Sequence, residues 1–361
     1  MWYNTNGGTH MEKITNNDNI YYDGTKLLSL MDINGCKPEI YLCTANNTAG
    51  KTTYFSRLLV NKFLANGSKF MLINRYNYEL DECADKFFRD IGRLFFRDKT
   101  MTSKRRANGV FHELFIDDIS CGYSVALNNV DQIKKYSHLF SDTDRMFMDE
   151  FQSETDHYCD NEVNKFRALH KAVARGNGEM VRYVPVYMCA NPITILNPYY
   201  VAMGISSRLT DKTRFLRGDG FVLEKSFNKA AGEAQKESGF NRAFGWDSYA
   251  RFTAEAVYLN DNYSFIEKPE GKCRYMATLR YKGCDYAIRS YDESGYIYCD
   301  KKADSSFPVR ITLTTDDHQI NYVMLKSNDV FLYNMRYYFR KGCFRFRDLQ
   351  CKEAVLCALS Y

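Results

Sequence analysis

Short apolar runs alternate with polar loops in the first half of this sequence. Residues 39–44 (EIYLCT) and 69–74 (KFMLIN) are predicted to be buried strands. Between them, the apolar residues of 54–66 recur at helical spacing, and Gly67 supplies the stop. Strand, glycine-containing loop, helix and strand in this order form a βαβ unit. The pattern therefore predicts a parallel sheet.

Further elements follow along the chain. Residues 110–127 are predicted to form a hairpin that turns at Asp117-Asp118, because two half-apolar runs meet there. Residues 146–148 and 186–190 are predicted to be strands, each followed by polar residues. Residues 161–175 carry apolar side chains on one helical face, and we expect Gly176 to end this helix.

The character of the sequence changes after residue 226. Residues 227–250 are polar, with weak periodicity, as in a linker or lid, whereas the chain beyond Tyr258 is rich in β-branched and aromatic residues with turn signals typical of antiparallel strands. The segment CKEAVLCAL near the end is predicted to be a helix. The expected divisions are a mobile leader (1–20), a first domain (21–226), a linker or lid (227–255) and a C-terminal domain (256–361).

Composition narrows the class of protein. Of 361 residues, 45% are hydrophobic and 26% are charged, as in folded proteins, and the net charge of +5 permits a polyanionic partner without requiring one. No apolar run approaches the ~18 residues of a membrane helix, and the first residues do not resemble a signal peptide, so we expect neither secretion nor a membrane partner. The 12 cysteines include no C-x-x-C pair, which favours reduced thiols in the cytoplasm over zinc.

The strongest chemical signal lies between the first strand and the first long helix. A phosphate-binding loop (P-loop) needs inward backbone N–H groups, a lysine for the outer phosphates and a hydroxyl for Mg²⁺, and Lys51 and Thr52 supply the last two. Ala45 stands where the pattern has glycine, so the entry to the loop is altered or its φ is negative. The alternative is a helix cap with an exposed lysine. The predicted nucleotide-binding residues here are Ala45, Asn46, Asn47, Thr48, Ala49, Gly50, Lys51, Thr52 and Thr53.

Two acids follow the predicted strand at 146–148. Asp149 is expected to bind the Mg²⁺ that accompanies ATP, and Glu150 is expected to activate the attacking water. A strand followed by an acidic turn is the structural alternative. Paired with the lysine of the loop, the two acids predict an ATPase.

Other polar residues have candidate roles. Asn191 ends a predicted strand and could sense the γ-phosphate, although Asn before proline is also a common turn former. Arg175 could enter the site of a neighbouring subunit, or could stabilise the end of its helix by its charge. Lys134 and Lys135 are weaker candidates for the same trans-acting role.

A basic segment precedes the predicted hairpin. Lys104, Arg105 and Arg106 could contact nucleic-acid phosphates at a channel wall without reading bases. A solvated basic loop is the alternative interpretation.

Several motifs together resemble one family of proteins. They are the GKT loop, INRYNYEL (73–80), FMDEF (147–151), CANPITILNPYY (189–200) and LTTDDHQIN (313–321). The sequence resembles, over roughly residues 20–361, the DNA-packaging (encapsidation) ATPases of small short-tailed, protein-primed bacteriophages, which are related to terminase large subunits. Ala45 departs from the glycine that is usual in this family.

The resemblance implies an α/β fold in which a P-loop ATPase domain with a parallel central sheet precedes a small β-rich, ribonuclease H-like domain. It also implies a ring, usually of five subunits, that binds the portal of an empty procapsid in the host cytoplasm and drives double-stranded DNA inward with ATP and Mg²⁺. In such a ring Arg175 is the trans-acting finger. Whether a scaffold RNA takes part stays open.

Terminase C-terminal domains cut DNA with clustered carboxylates, but residues 274–281, the first strand of this domain, have no acid at their centre. We therefore expect a vestigial nuclease used for docking, and no place in the mature virion. The alternatives are another P-loop nucleic-acid motor, such as a helicase, and a non-enzymatic portal adaptor with a relict nucleotide site.

Overall fold

The computed structural model describes residues 21–155, 157–175, 180–206, 208–209, 213–245, 251, 254–255, 265–325 and 329–360. The predicted leader, 1–20, lies outside these residues. The chain divides into two compact units. The N-terminal unit is Met1–Pro192 with Lys212–Val257, and the C-terminal unit is Ile193–Asp211 with Tyr258–Tyr361. The division groups 193–211 with the C-terminal unit, whereas the sequence analysis includes them in the first domain.

A nine-stranded sheet, counted over the described residues, forms the centre of the N-terminal unit. Its spatial order is β3-β4-β5-β2-β6-β7-β1-β9-β8, and all neighbours from β5 to β9 are parallel. In chain order the strands are β1 (Ile40–Thr44), β2 (Lys69–Asn74), β3 (Met101–Arg106), β4 (Phe111–Ile116), β5 (Ile119–Ala126), β6 (Thr143–Asp149), β7 (Val186–Ala190), β8 (Phe215–Gly218) and β9 (Phe221–Lys225).

Helices connect these strands. They are α1 (Thr25–Ser29), α2 (Lys51–Asn66), α3 (Leu80–Phe95), α4 (Val130–Ile133) and α5 (Glu162–Val173) in this unit, then α6 (Pro198–Ala202) in the C-terminal unit, and α7 (Lys229–Glu237) and α8 (Gly239–Phe244), again in the N-terminal unit. Short 3₁₀ turns occupy Asn77–Glu79, Ala107–Gly109, Leu127–Asn129 and Lys134–Phe140. Among the described residues, no helix is both long and apolar enough to span a bilayer.

The predicted βαβ unit is confirmed as β1, α2 and β2. Gly67 ends α2 in the left-handed conformation, and its N–H donates to the carbonyl of Phe63 at 2.7 Å. The predicted hairpin is β4–β5, and Asp117 and Asp118 form its turn with φ of 49° and 62°. The predicted strands at 146–148 and 186–190 lie in β6 and β7, and the expected stop at Gly176 falls outside the described residues.

Three segments differ from the predictions. The sequence analysis assigns no element to 80–95, which is the long helix α3. Lys104–Arg106 lie in the edge strand β3 and not in a loop, because β3 pairs with β4 along its whole length. The expected linker contains α7 and α8, whose first turns are capped by the side chains of Asn228 and Ser238.

The C-terminal unit has its own sheet and core. Its six described strands are β10 (Arg274–Tyr281), β11 (Cys284–Tyr291), β12 (Tyr296–Asp300), β13 (Arg310–Thr312), β14 (Val323–Met324) and β15 (Phe344–Phe346), in the order β14-β13-β10-β11-β12-β15. Strands β10, β11 and β12 are antiparallel, as predicted. Besides α6, the described residues of this unit form α9 (Val330–Arg340) and α10 (Leu349–Ser360), and α10 is the predicted terminal helix.

Candidate nucleotide-binding site

The carboxyl ends of four adjacent parallel strands meet at one edge of the larger sheet. The strand register aligns Thr44 of β1 with Ala190 of β7, and Cys189 of β7 with Asp149 of β6. On the far side of β6, Ile73 of β2 is level with Met148. The P-loop, Asn191, the two acids and the residues after β2 therefore all emerge at the same edge, where open α/β sheets bind their ligands.

The loop between β1 and α2 turns sharply before the helix. Gly50 has φ of 92° and immediately precedes Lys51, the first residue of α2, so the unpaired N–H groups of the first helical turn point out of the helix there. Thr48 also has a positive φ, 59°. The φ of Ala45 is not positive, so this position does not need glycine for its backbone conformation.

Lys51 lies inside the loop. Its Nζ donates to the carbonyl oxygens of Ala45 at 2.9 Å and Asn46 at 3.1 Å, and to Oδ1 of Asn191 at 3.1 Å. The residue is only 6% exposed. The alternative of an exposed lysine at a helix cap is therefore wrong.

A cleft of about 500 Å³ opens next to this loop. Thr52 and Thr53 border it on one side, and Asp149 and Glu150 border it on another. The other lining residues, from α2, β2, α3 and β6 or the turns that follow them, are Ser56, Leu72, Ile73, Asn74, Arg75, Glu79, Lys86, Phe87, Asp90, Ile91, Leu94, Phe147 and Met148. A hydroxyl and carboxylates are ligands that Mg²⁺ prefers, so this donor set fits a magnesium nucleotide.

The two acids are fixed in different ways. Oδ1 of Asp149 accepts from the Cys189 thiol and from the N–H of Glu150, both at 3.0 Å. Glu150 has φ of 54°, a left-handed conformation that costs a glutamate free energy. Although solvent reaches its side chain, desolvation in the cleft raises the pKa of the Glu150 carboxyl, and the neighbouring charge of Asp149 raises it further. A raised pKa makes a carboxylate a stronger base.

Arg75, which the sequence analysis did not single out, holds the turn that carries Glu150. Its guanidinium donates to the carbonyl oxygens of Glu150 at 3.3 Å and Phe151 at 3.0 Å, and its Nε lies 2.9 Å from Oε2 of Glu162 at the start of α5. The Glu162 side chain is buried, and the Arg75 side chain is only 11% exposed. The available signal was a polar residue directly after an apolar strand, the same signal that identified Asp149.

A second connection joins the loop to the segment before α7. The buried side chain of Asn46 donates to the carbonyl oxygen of Asn228 at 2.9 Å and accepts from the N–H of Asn228, also at 2.9 Å. It also lies 3.4 Å from the carbonyl oxygen of Ala254. The expected lid is thus hydrogen-bonded to the expected phosphate-binding loop through one side chain.

The remaining predicted residues are not in the cleft. Arg175 is exposed just after α5. Lys134 and Lys135 are also exposed, and Lys134 pairs with Asp131 at 3.0 Å. On β3, Arg105 lies 3.3 Å from Asp81 and Arg106 lies 2.7 Å from Glu113, while Lys104 lies over the ring of Phe115.

Comparisons with known proteins point to one family. The model of the family described as podovirus DNA encapsidation protein (Gp16) matches residues 16–358. The DNA packaging proteins of Bacillus phages PZA and phi29 are each 25% identical over 301 residues, which is 82% of this chain and 86% of theirs. A chain of the bacteriophage Phi-29 viral genome packaging motor assembly has a TM-score of 0.66 at 22% identity, with 95% of this chain and 98% of that chain covered. The similarity to that chain of the packaging motor shows that the two chains share a fold.

Proposed function

This chain belongs to the podovirus DNA encapsidation protein (Gp16) family, and we propose that it is an ATP-driven motor that moves double-stranded viral DNA through the portal into an empty procapsid. The observation that carries the proposal is the cleft in which Thr52 faces Asp149 and Glu150, next to the enclosed Lys51. The printed name of each curated relative, DNA packaging protein, supports the same activity.

Hydrolysis of the terminal phosphoanhydride bond of ATP, bound together with Mg²⁺, would drive the motor. Lys51 would hold the outer phosphates, and Thr52 and Asp149 would hold the metal, with backbone groups of Ala45–Gly50 around the phosphates. Glu150 would orient a water and accept its proton, which its raised pKa favours. Asn191, already bonded to the Lys51 ammonium, would report loss of the γ-phosphate.

The hydrogen bonds of Asn46 provide a route by which loss of the γ-phosphate could move residues outside the cleft. If the loop shifts with nucleotide state, the pair formed with Asn228 shifts α7 and the lid at 227–255 with it. The free energy of ligand binding then biases the position of an element that lies outside the cleft.

A ring is the second part of the proposal. Arg175 lies outside the cleft of its own chain and is exposed, which suits a residue that completes the site of a neighbouring subunit. Lys134 and Lys135 are the weaker candidates for this role. We propose a pentamer on the portal of the procapsid, assembled in the host cytoplasm and absent from the mature virion.

The C-terminal unit is proposed to be a ribonuclease H-like docking domain without nuclease activity. Three antiparallel strands, with parallel strands added beside the first, support that fold. Its acids have structural partners: Asp285 pairs with Arg280 at 3.0 Å, and Asp317 accepts the N–H groups of Lys282 and Gly283. Nicking of plasmid DNA by the full chain with Mn²⁺ would contradict this part.

Packaging itself tests the proposed function. Purified chain, ATP, genomic DNA and empty procapsids of the same phage are mixed, and DNA protected from added nuclease is measured. We expect protection with the natural chain and none with Lys51→Ala, whose folding is checked by circular dichroism. DNA unwinding without protection would indicate a helicase, and equal protection by Lys51→Ala would indicate an adaptor with a relict site.

A further inference from the structure

Helix α3 separates the cleft from a second concave surface. One side of the helix gives Lys86, Phe87, Asp90 and Leu94 to the cleft. The opposite side lines a groove of about 530 Å³ between α3 and β3. We call it the α3 groove, and its lining residues are Asp85, Phe88, Arg89, Gly92, Arg93, Phe96, Arg97, Lys99 and Met101.

Three arginines make the α3 groove strongly basic. Arg89 and Arg93 are one helical turn apart, about 6 Å along the axis, and Arg97 follows the helix with its Nε bonded to the carbonyl of Arg93 at 3.0 Å. All three are exposed, and none forms an ion pair within the described part of the chain. The neighbouring cations differ, because Lys99 pairs with Asp117 at 2.9 Å and Arg106 pairs with Glu113.

Asp85 is the one acid among the described residues that line the groove, and it hydrogen-bonds to the opposite wall. Oδ1 of Asp85 accepts from the hydroxyl of Ser103 on β3 at 3.1 Å. The floor between the cations is apolar, since Phe88 and Phe96 are buried there. Gly92 adds no side chain to this wall, and a Cβ there would make an ordinary contact with Sδ of Met101 at 3.5 Å. A row of guanidinium groups that form no ion pair with any described residue, over an apolar floor, suits an extended anion.

We propose that the α3 groove binds the phosphate backbone of double-stranded DNA. This inference rests on the proposed function and names the surface that grips the substrate. Each strand of duplex DNA presents a phosphate every ~3.4 Å of helix axis, so arginines about 6 Å apart can each reach a different phosphate of one strand. Guanidinium groups bind phosphate oxygens through paired hydrogen bonds and read no sequence, as a motor that moves any DNA requires.

The position of α3 also couples the binding of DNA in the groove to the hydrolysis of ATP in the cleft. The same helix lines the groove and the cleft, so a shift of α3 on DNA binding moves Lys86 and Asp90 relative to Glu150. Coupling between two ligands is reciprocal. Bound nucleotide therefore changes the affinity for DNA, and bound DNA changes the affinity for nucleotide.

Matched triple variants of the full chain test this inference. The groove variant carries Arg89→Gln, Arg93→Gln and Arg97→Gln. The control carries Lys104→Gln, Arg105→Gln and Arg106→Gln on β3, the basic segment that the sequence alone made the candidate for phosphate contacts. Each removes three positive charges, but two of those in the control are already ion-paired. Affinity for a duplex DNA fragment is measured from ~50 to 200 mM salt, together with ATP hydrolysis with and without DNA.

We expect the groove variant to lose at least about tenfold in DNA affinity at ~100 mM salt. Its negative slope of log affinity against log salt should become less steep by about 2–3. Basal hydrolysis stays unchanged, and stimulation by DNA is lost. The control variant loses less affinity for DNA than the groove variant does. An unchanged slope in the groove variant, or tighter binding of duplex RNA than of DNA by the natural chain, overturns the inference. Absence of hydrolysis in the natural chain instead overturns the proposed function.

Discussion

At the scale of single residues, the ammonium of Lys51 is the clearest feature of the site. Burying a charge costs free energy unless acceptors replace its water, and three oxygens from two segments do so here. Two of these oxygens belong to the loop itself, so the lysine also fixes the loop. The sequence could predict the lysine and its strand-loop-helix context, but not its carbonyl partners, because these depend on the path of the loop.

Glu224 on β9 gives a prediction of pH dependence. It is buried, its Oε2 accepts from the hydroxyl of Tyr22 at 2.9 Å, and desolvation raises the pKa of its carboxyl. A raised pKa means that the ionised carboxylate costs the folded state free energy at neutral pH. Glu224→Gln, which keeps an acceptor for Tyr22, should therefore raise the Tm at pH 7.

The linkage between proton binding and folding sets the direction of this pH dependence. As the pH falls through the raised folded pKa toward the unfolded value of about 4.3, the natural chain regains this stability, and the gap between the two proteins should close. Thermal unfolding from pH 7 to pH 4.5, without nucleotide, measures it. A Tm of Glu224→Gln below that of the natural chain at pH 7 would contradict the prediction.

Removal of Arg75 from its ion pair with Glu162 should cause a large loss of stability. Removing one partner of a buried ion pair leaves the other charge unpaired, so Arg75→Met should lower the free energy of unfolding by about 3–5 kcal/mol. Glu162→Gln in the same chain should recover part of this loss, because the unpaired charge is then removed. Urea unfolding of the two single variants and the double variant gives the coupling free energy. A loss below about 1 kcal/mol for Arg75→Met would mean that the pair behaves like a surface one.

At the scale of elements, the sequence predicted the strands that carry the site better than the others. β1, β2, β6 and β7 are short apolar runs followed by polar residues, a local pattern that survives in the fold. β3 was missed because MTSKRR is polar, and an edge strand needs few buried side chains. Helices α7 and α8 were missed for a similar reason, since end caps and the hydrogen bonds of Asn46 hold them where no strong apolar face does.

The close contact between β5 and β2 should allow only glycine at position 122. Gly122 is level with Phe70, and a Cβ at Gly122 would lie 1.9 Å from the carbonyl oxygen of Phe70. Because this atom belongs to the backbone of a neighbouring strand, it cannot rotate away. Gly122→Ala should lower the free energy of unfolding by about 3 kcal/mol or more.

A matched control separates this clash from backbone strain. The φ of Gly122 is 155° and that of Gly67 is 74°, but no atom lies within 4 Å of the position of the Gly67 Cβ. Gly67→Ala should cost only about 1 kcal/mol. Equal losses for the two variants in urea unfolding would contradict a steric origin at Gly122.

At the scale of the whole molecule, the division into two units could be predicted only in part. The change in composition after residue 226 indicates a change of architecture. Residues 193–211 group with the C-terminal unit although they directly follow β7, and nothing local in their sequence indicates this, because the grouping depends on contacts with residues beyond 258. Arg75 has a local signal, its place directly after an apolar strand, but its ion pair with Glu162 could not be predicted because this partner is distant in the chain.

The proposed ring gives a prediction for mixtures of two variant subunits. If Arg175 acts in a neighbouring site, Arg175→Ala and Glu150→Gln subunits are each inactive alone but form some complete sites when mixed. Their mixture should regain measurable ATP hydrolysis on procapsids. Absence of any recovery, with both variants shown to bind procapsids, would leave Arg175 as a structural charge at the end of α5.

The most direct measurement of the central claim is the rate of ATP hydrolysis by the full chain with Mg²⁺ and duplex DNA at ~100 mM salt. Lys51 and Glu150 are the ammonium and the carboxylate on which the proposed chemistry depends. Lys51→Ala and Glu150→Gln should each lower kcat at least about 100-fold, with folding unchanged by circular dichroism. A rate within tenfold of the natural chain in either variant would contradict hydrolysis in this cleft.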